Sequence, residues 1–185
     1  MTTIAENGEP NRGNPLRWAV WGFAAFLLLL PAIAMRFTSE VDWDARDFTI
    51  IGVLLFFVCG SYELATRYTG SRWYRAAVGV AVVSAFLMIW INLAVGMIAT
   101  ESNLENLIFA VVLLIGIFGA FIVRFRPDGM ARTMVATAVA QSLAGVIALG
   151  WGEIEGFLAS GFFAGLWLLS AWLFHQSARR TQTLT

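Results

Sequence analysis

Long uninterrupted apolar runs, separated by short polar stretches, dominate the pattern of this chain. Each run holds roughly 17–25 mainly apolar residues, the length that an α-helix needs to cross about 30 Å of hydrocarbon. The runs are continuous rather than alternating, and lipid offers no partner to unpaired backbone groups, so helices are predicted. The six predicted spans are Leu16–Met35, Phe48–Thr66, Tyr74–Ile98, Leu104–Val123, Met130–Gly150 and Gly156–Phe174.

The predicted fold class is all-α, a polytopic membrane bundle of six transmembrane helices that form one domain over residues 16–175. Residues 1–15 are polar and rich in Gly, Asn and Pro, which predicts a disordered cytoplasmic tail, and residues 176–185 are predicted to be a second cytoplasmic tail. Ala32-Ile33-Ala34 resembles a signal-peptidase site at the end of the first run. The run is longer than a usual signal core, which favours retention; cleavage would leave five spans.

The distribution of charge predicts how the spans are oriented. All 12 basic residues are arginine, and with a cytoplasmic N-terminus only Arg36 and Arg46 fall on the outer side. Ten arginines and four acids then lie on the inner side, whose net charge is +6. Two arginines and eight acids lie on the outer side, whose net charge is −6. Basic residues in short loops stay in the cytoplasm. The pattern predicts a multi-pass protein of the bacterial inner membrane with both termini cytoplasmic.

Composition supports a membrane location and limits the chemistry. Apolar residues make up 59% of the chain and charged residues 13%, with a mean hydropathy of +0.74; soluble domains carry about twice that charge. The single cysteine, Cys59, excludes an internal disulfide, and the single histidine, His175, excludes a two-histidine metal site. No nucleophile–base pair or metal-ligand set can be assembled. We therefore expect no catalytic, cofactor or metal site, and a protein that is not an enzyme.

A few polar side chains lie inside the predicted spans, where they must face protein or water. Ser84 and Asn92 belong to the third span, and Gln141 and Ser142 lie near the middle of the fifth. They could line a polar pathway between these two spans. They could instead make interhelical hydrogen bonds, worth about 0.6 kcal/mol each in measured cases, which is the simpler interpretation of uncharged side chains.

Carboxylates cluster in the predicted outer loops. Asp42 and Asp44 are two residues apart, as are Glu153 and Glu155, and Glu101 occupies a third loop. Together they could form a negative mouth that attracts cations, since Asp and Glu are suitable ligands for hard cations. Solvated loops that follow the charge asymmetry explain the same residues without a ligand. Both interpretations stay open.

Small residues recur at four-residue spacing in the sixth span, as Gly161-x-x-x-Gly165 and as Gly156 with Ser160. Faces of this kind allow two helices to approach closely in lipid. They could serve the internal bundle or join two copies of the chain. The internal bundle is the preferred interpretation.

The chain resembles a family of small multi-spanning bacterial inner-membrane proteins without an assigned function. The stretches that carry the resemblance are "MRFTSEVDWDARDF", "YELATR", "YRAAVGVAVVSAFLMIWINLAVG" and "RFRPDGMARTMVATAVAQSLAGVIAL". They cover the first five spans. The resemblance implies a membrane location but no activity, so it transfers no site residue.

Two classes of function remain open. The first is a non-catalytic accessory protein or assembly partner of a membrane complex. The second is a small oligomeric channel or permease for a cation or small polar solute, for which Asn92, Gln141 and the negative outer rim would be the functional groups. The expected partners are the lipid bilayer and either another membrane protein or further copies of this chain; no cofactor and no nucleic acid is expected.

Overall fold

The computed structural model describes residues 15–39, 42–68, 71–94 and 103–182, which form six α-helices and contain no strand. The all-α prediction is therefore confirmed for this part of the chain. The predicted N-terminal tail, apart from its last residue, lies outside the described residues. The helices are α1 (Pro15–Ala34), α2 (Ala45–Tyr68), α3 (Arg72–Ala94), α4 (Asn103–Ile122), α5 (Pro127–Gly150) and α6 (Ile154–Gln182).

Four of the six helices are long and apolar enough to cross a membrane. The candidate spans are Ala45–Thr66, Arg72–Asn92, Pro127–Gly150 and Ile154–Arg180. Helices α1 and α4 contribute shorter apolar stretches, Val20–Ala34 and Leu107–Ile122. The protein is thus a helical bundle with four candidate membrane-spanning helices, and the count of six spans stays a prediction.

The chain divides into two compact units, residues 1–59 and 60–185. In the first unit, the rings of Trp21 on α1 and Phe56 on α2 make an edge contact with centroids 6.0 Å apart. The predicted single domain over residues 16–175 includes parts of both units and stays a prediction.

In the second unit, α6 packs against α5 and α3, and α5 also packs against α4. Helices α5 and α6 approach most closely where both present small residues. A Cβ atom at Gly145 would lie 2.7 Å from Ser160 Cβ, and one at Gly156 would lie 3.2 Å from Ala148 Cβ. The small residues Gly156 and Ser160 therefore serve the internal bundle, as expected. Gly161 and Gly165 are exposed, and a Cβ atom at either would meet nothing within 4 Å.

The last helix continues eight residues beyond Phe174, where the apolar run ends. Ser177 and Ala178 are buried in this extension, and Ser177 Oγ donates a hydrogen bond to Ser71 Oγ at 3.1 Å. Arg180 lies over the ring of Trp73, 5.2 Å from its centroid. The extension is held by contacts with the start of α3, so much of the predicted C-terminal tail is part of the packed helix.

Candidate functional site

Polar side chains are buried inside the second unit along the helices that form its core. Thr133, Thr137 and Gln141 follow one another at four-residue spacing and so lie on one face of α5. We call the buried polar side chains of this unit the buried polar seam. Its members are Ser84, Thr133, Thr137, Gln141, Ser160, Ser170 and Ser177. In a bilayer such groups need partners within the protein, because lipid supplies none.

Gln141 is the largest polar member of the seam and is 0% exposed. Its Nε2 donates a hydrogen bond to Ser160 Oγ on α6, at 3.3 Å, while Oε1 is buried without a partner. The side chain therefore joins α5 to α6 and keeps one unsatisfied acceptor. A buried polar atom left unpaired costs about 1–3 kcal/mol.

The other side chains of the predicted polar pathway bond within their own helices. Asn92 Nδ2 donates to the carbonyl oxygen of Met88 at 2.7 Å, and its Oδ1 is buried without a partner. The hydroxyls of Ser84 and Ser142 likewise donate to the carbonyl four residues earlier. Gln141 bonds to α6 and not to α3, so these hydrogen bonds do not link the third span to the fifth. The pathway stays a prediction.

Two interhelical contacts were not anticipated from the sequence. Ser170 Oγ on α6 donates to the carbonyl oxygen of Ala77 on α3, at 2.9 Å. Tyr74 Oη donates to the carbonyl oxygen of Phe125, at 2.8 Å, and so ties α3 to the turn between α4 and α5. Ser170 and Ser177 are seven residues apart and so share one face of α6. This spacing is the one feature of the sequence that could have indicated the contact between Ser170 and Ala77.

Among the predicted outer acids, Asp44 has a defined structural role. Its Oδ1 accepts hydrogen bonds from the backbone N–H groups of Arg46 at 2.7 Å and Asp47 at 2.9 Å, while Asp47 Oδ2 accepts one from the Asp44 N–H at 3.1 Å. This reciprocal arrangement is a capping box, and it satisfies backbone donors that the first turn of α2 cannot satisfy itself. The cap also explains why α2 begins at Ala45.

The remaining acids of the predicted mouth are divided between the two units and residues outside the described ranges. Asp42, Glu153 and Glu155 are exposed, and Glu101 lies outside the described residues. Asp42 and Asp44 belong to the first unit, whereas Glu153 and Glu155 belong to the second. Within the described ranges, His, Cys, Asp and Glu side chains form no group of three or more that could hold a metal ion. The mouth stays a prediction.

The two ends of the second unit carry opposite charge. The contacts of Tyr74 with Phe125 and of Ser71 with Ser177 bring the starts of α3 and α5 together with the ends of α4 and α6. The arginines at this end are Arg72, Arg75, Arg124, Arg126, Arg132, Arg179 and Arg180. The turn from α5 to α6, with Glu153 and Glu155, lies at the other end. We call the first of these the arginine end.

A groove of about 370 Å³ opens at the arginine end, beside the turn from α4 to α5. The backbone of this turn is unusual, because Arg124 (φ 52°) and Phe125 (φ 57°) both adopt the left-handed conformation. Gly129 packs so closely against Val123 that an added Cβ atom would clash with the Val123 side chain. The residues that line the groove are Ile122, Val123, Arg124, Arg126, Asp128 and Gly129.

No protein-family model, curated protein or solved structure matches this chain. The resemblance to small inner-membrane proteins therefore stays a prediction.

Proposed function

We propose that this protein is a non-catalytic accessory or assembly partner of a membrane complex in the bacterial inner membrane. It acts through helix surfaces that face lipid, and not through a reactive group. The observation that carries the proposal is the burial of Gln141, which is 0% exposed and hydrogen-bonded to Ser160. The bulkiest polar group of the seam is thus engaged in packing two helices together.

The proposed topology has six spans with both termini in the cytoplasm. Helices α1 and α4 hold 20 residues each, which at 1.5 Å per residue gives about 30 Å, the thickness of the hydrocarbon core. The arginine end would face the cytoplasm. A periplasm-dependent alkaline phosphatase fused after Asp44 is expected to be active, and one fused after Gln182 inactive. The reverse pattern would overturn the topology.

A packing role agrees with the rest of the buried polar seam. Water-filled pathways need polar atoms that water can reach, whereas Ser84, Thr137 and Ser170 are at most 1% exposed. Their hydroxyls donate to backbone carbonyls of the same helix or, for Ser170, of α3. These side chains stabilise the bundle, which leaves its outer faces for recognition of a partner.

The proposed contact surface for a partner helix is the exposed pair Gly161 and Gly165 on α6. Small residues at this spacing let a partner helix approach closely in lipid, and both positions have open space around them. Gly161→Leu with Gly165→Leu should fill the face and expel a partner helix without disturbing the bundle. The matched control is Gly22→Leu, an exposed helical glycine on α1 that also has open space around it.

The measurement is co-purification in a mild detergent, with the stoichiometry of any retained membrane protein determined for each variant. Wild type and Gly22→Leu should retain the same partner at the same ratio, and the double variant should lose it at an unchanged melting temperature. A wild-type protein that purifies alone would contradict the accessory role. Equal loss of the partner in both variants would contradict the choice of surface.

A small oligomeric channel or permease is the second candidate function. It is favoured by one observation: Asn92 Oδ1 and Gln141 Oε1 are buried acceptors without a donor, and a cation or polar solute could use them. Flux through liposomes should be compared for the parent chain, Gln141→Leu and Asn92→Leu. Parental flux that falls in both variants would support transport, whereas equal and negligible flux would favour the accessory role.

A further inference from the structure

The groove at the arginine end combines basic groups with exposed apolar surface. Arg124 and Arg126 line it and are exposed, and their guanidinium groups form no ion pair with any described residue. Asp128, the one acid that lines the groove, is also exposed. The lining therefore carries two positive charges against one negative charge.

Apolar side chains border these charges on the side of α4. Ile122 is 80% exposed, Phe121 is 64% exposed and Phe125 is 46% exposed. The rings of Phe121 and Phe125 make an edge contact with centroids 5.5 Å apart. A ligand that reached both surfaces would need an anionic group joined to a long apolar group.

We propose that this groove binds an anionic phospholipid, with Arg124 and Arg126 on the phosphate group and the acyl chains along Ile122 and Phe121. The planar guanidinium group matches phosphate oxygens and forms strong charge-assisted hydrogen bonds with them. Basic pockets between helices on the cytoplasmic side are suited to anionic headgroups. The site does not depend on the accessory role proposed above, but it rests on the proposed topology, in which the arginine end faces the cytoplasm.

The turn that carries the site is held in place by the rest of the second unit. Tyr74 Oη donates to the carbonyl oxygen of Phe125, the residue between the two arginines. The Phe125 N–H donates to the carbonyl oxygen of Ala120, at 3.1 Å, which closes the turn on the end of α4. The backbone that presents the two arginines is thus preorganised, which reduces the entropy lost when a ligand binds.

The test uses the full chain in a non-ionic detergent, with dioleoyl-phosphatidylglycerol as the probe and dioleoyl-phosphatidylcholine as the zwitterionic comparison. Native mass spectrometry counts the lipids retained and yields their apparent Kd. Wild type should retain one phosphatidylglycerol in preference to phosphatidylcholine. Arg124→Gln with Arg126→Gln should weaken binding about tenfold or more, because each basic residue near an anionic headgroup contributes about 1 kcal/mol.

Two further variants separate a site from general attraction between charges. Arg72→Gln with Arg132→Gln removes the same two charges from the arginine end outside the groove, and should change the Kd less than the loss of the two groove arginines. Asp128→Asn removes the opposing carboxylate and should tighten binding, by up to about fivefold. It keeps both arginines, so it tests the site even if the arginine variant does not fold.

Four results would overturn the proposal. Equal weakening by the control pair, Arg72→Gln with Arg132→Gln, and by the groove pair would mean diffuse attraction only. Equal retention of phosphatidylcholine would mean an ordinary lipid annulus. Displacement of the lipid by millimolar inorganic phosphate would mean a site for the free anion. An unchanged Kd in Asp128→Asn would equally remove the assignment to this groove.

Discussion

Replacing Gly145 by alanine tests whether close approach of α5 and α6 holds the second unit together. The new Cβ atom would lie 2.7 Å from Ser160 Cβ and 3.6 Å from the backbone oxygen of Phe157. Carbon atoms pack best about 3.5–4.0 Å apart, so the helices must separate by roughly 1 Å. Because a Cβ position is fixed by the backbone, no rotamer change at Ser160 can relieve the clash.

The magnitude follows from a comparison with Gly161→Ala on α6, where the added Cβ atom would meet nothing within 4 Å. Both changes gain about 0.8–1.0 kcal/mol of helix propensity, and this contribution cancels in the difference. Overpacking of a well-packed core costs about 1–3 kcal/mol. Gly145→Ala should therefore be less stable than Gly161→Ala by about 1–3 kcal/mol, and more if the bond from Gln141 to Ser160 also breaks.

The assay is reversible unfolding in mixed micelles, followed by helix circular dichroism and tryptophan fluorescence. A double-mutant cycle with Ser160→Gly adds the decisive control, since removal of that Cβ atom should abolish the penalty of Gly145→Ala. If Gly145→Ala is as stable as Gly161→Ala, the close packing of α5 on α6 is refuted. A penalty that persists in the Ser160→Gly background would refute the contact proposed as its cause.

Two more predictions concern single hydrogen-bonding groups, each measured as a change in the free energy of unfolding. Asp44→Ala removes the cap of α2 and should cost about 1 kcal/mol, whereas exposed Asp42→Ala should be neutral; equal effects would contradict the capping role. Ser170→Ala removes the bond to Ala77 on α3 and should cost about 0.6 kcal/mol, more than Ser142→Ala, whose hydroxyl bonds only within α5. The opposite order would contradict a role of Ser170 in packing α6 on α3.

Hydropathy predicts the six helices well because each apolar run is long and bounded by polar residues. It misses helix ends that depend on other interactions. Helix α2 starts before the apolar run because Asp44 caps it, and α6 continues past Phe174 because Ser177 and Ala178 are buried against neighbouring structure. A hydropathy window averages residue types and does not register a cap or a buried serine.

The candidate site is less predictable, because partner choice depends on how the helices are rotated. Gln141 and Ser142 are adjacent and both polar, yet Gln141 bonds across to Ser160 while Ser142 bonds to its own helix. Gly161 and Gly165 have the spacing of a packing face, but they are exposed. Spacing shows which residues share a helix face and not which neighbour that face meets.

The helices of the second unit differ in length, which determines how the protein responds to bilayer thickness. The candidate span Ile154–Arg180 of α6 has 27 residues and covers about 40 Å, whereas the apolar stretch Leu107–Ile122 of α4 covers only about 24 Å. A hydrophobic stretch shorter than the hydrocarbon core thins the bilayer locally or draws flanking side chains toward the headgroups. In the proposed six-span topology, a thicker membrane therefore strains α4 before α6, and the hydrophobic mismatch is concentrated at α4.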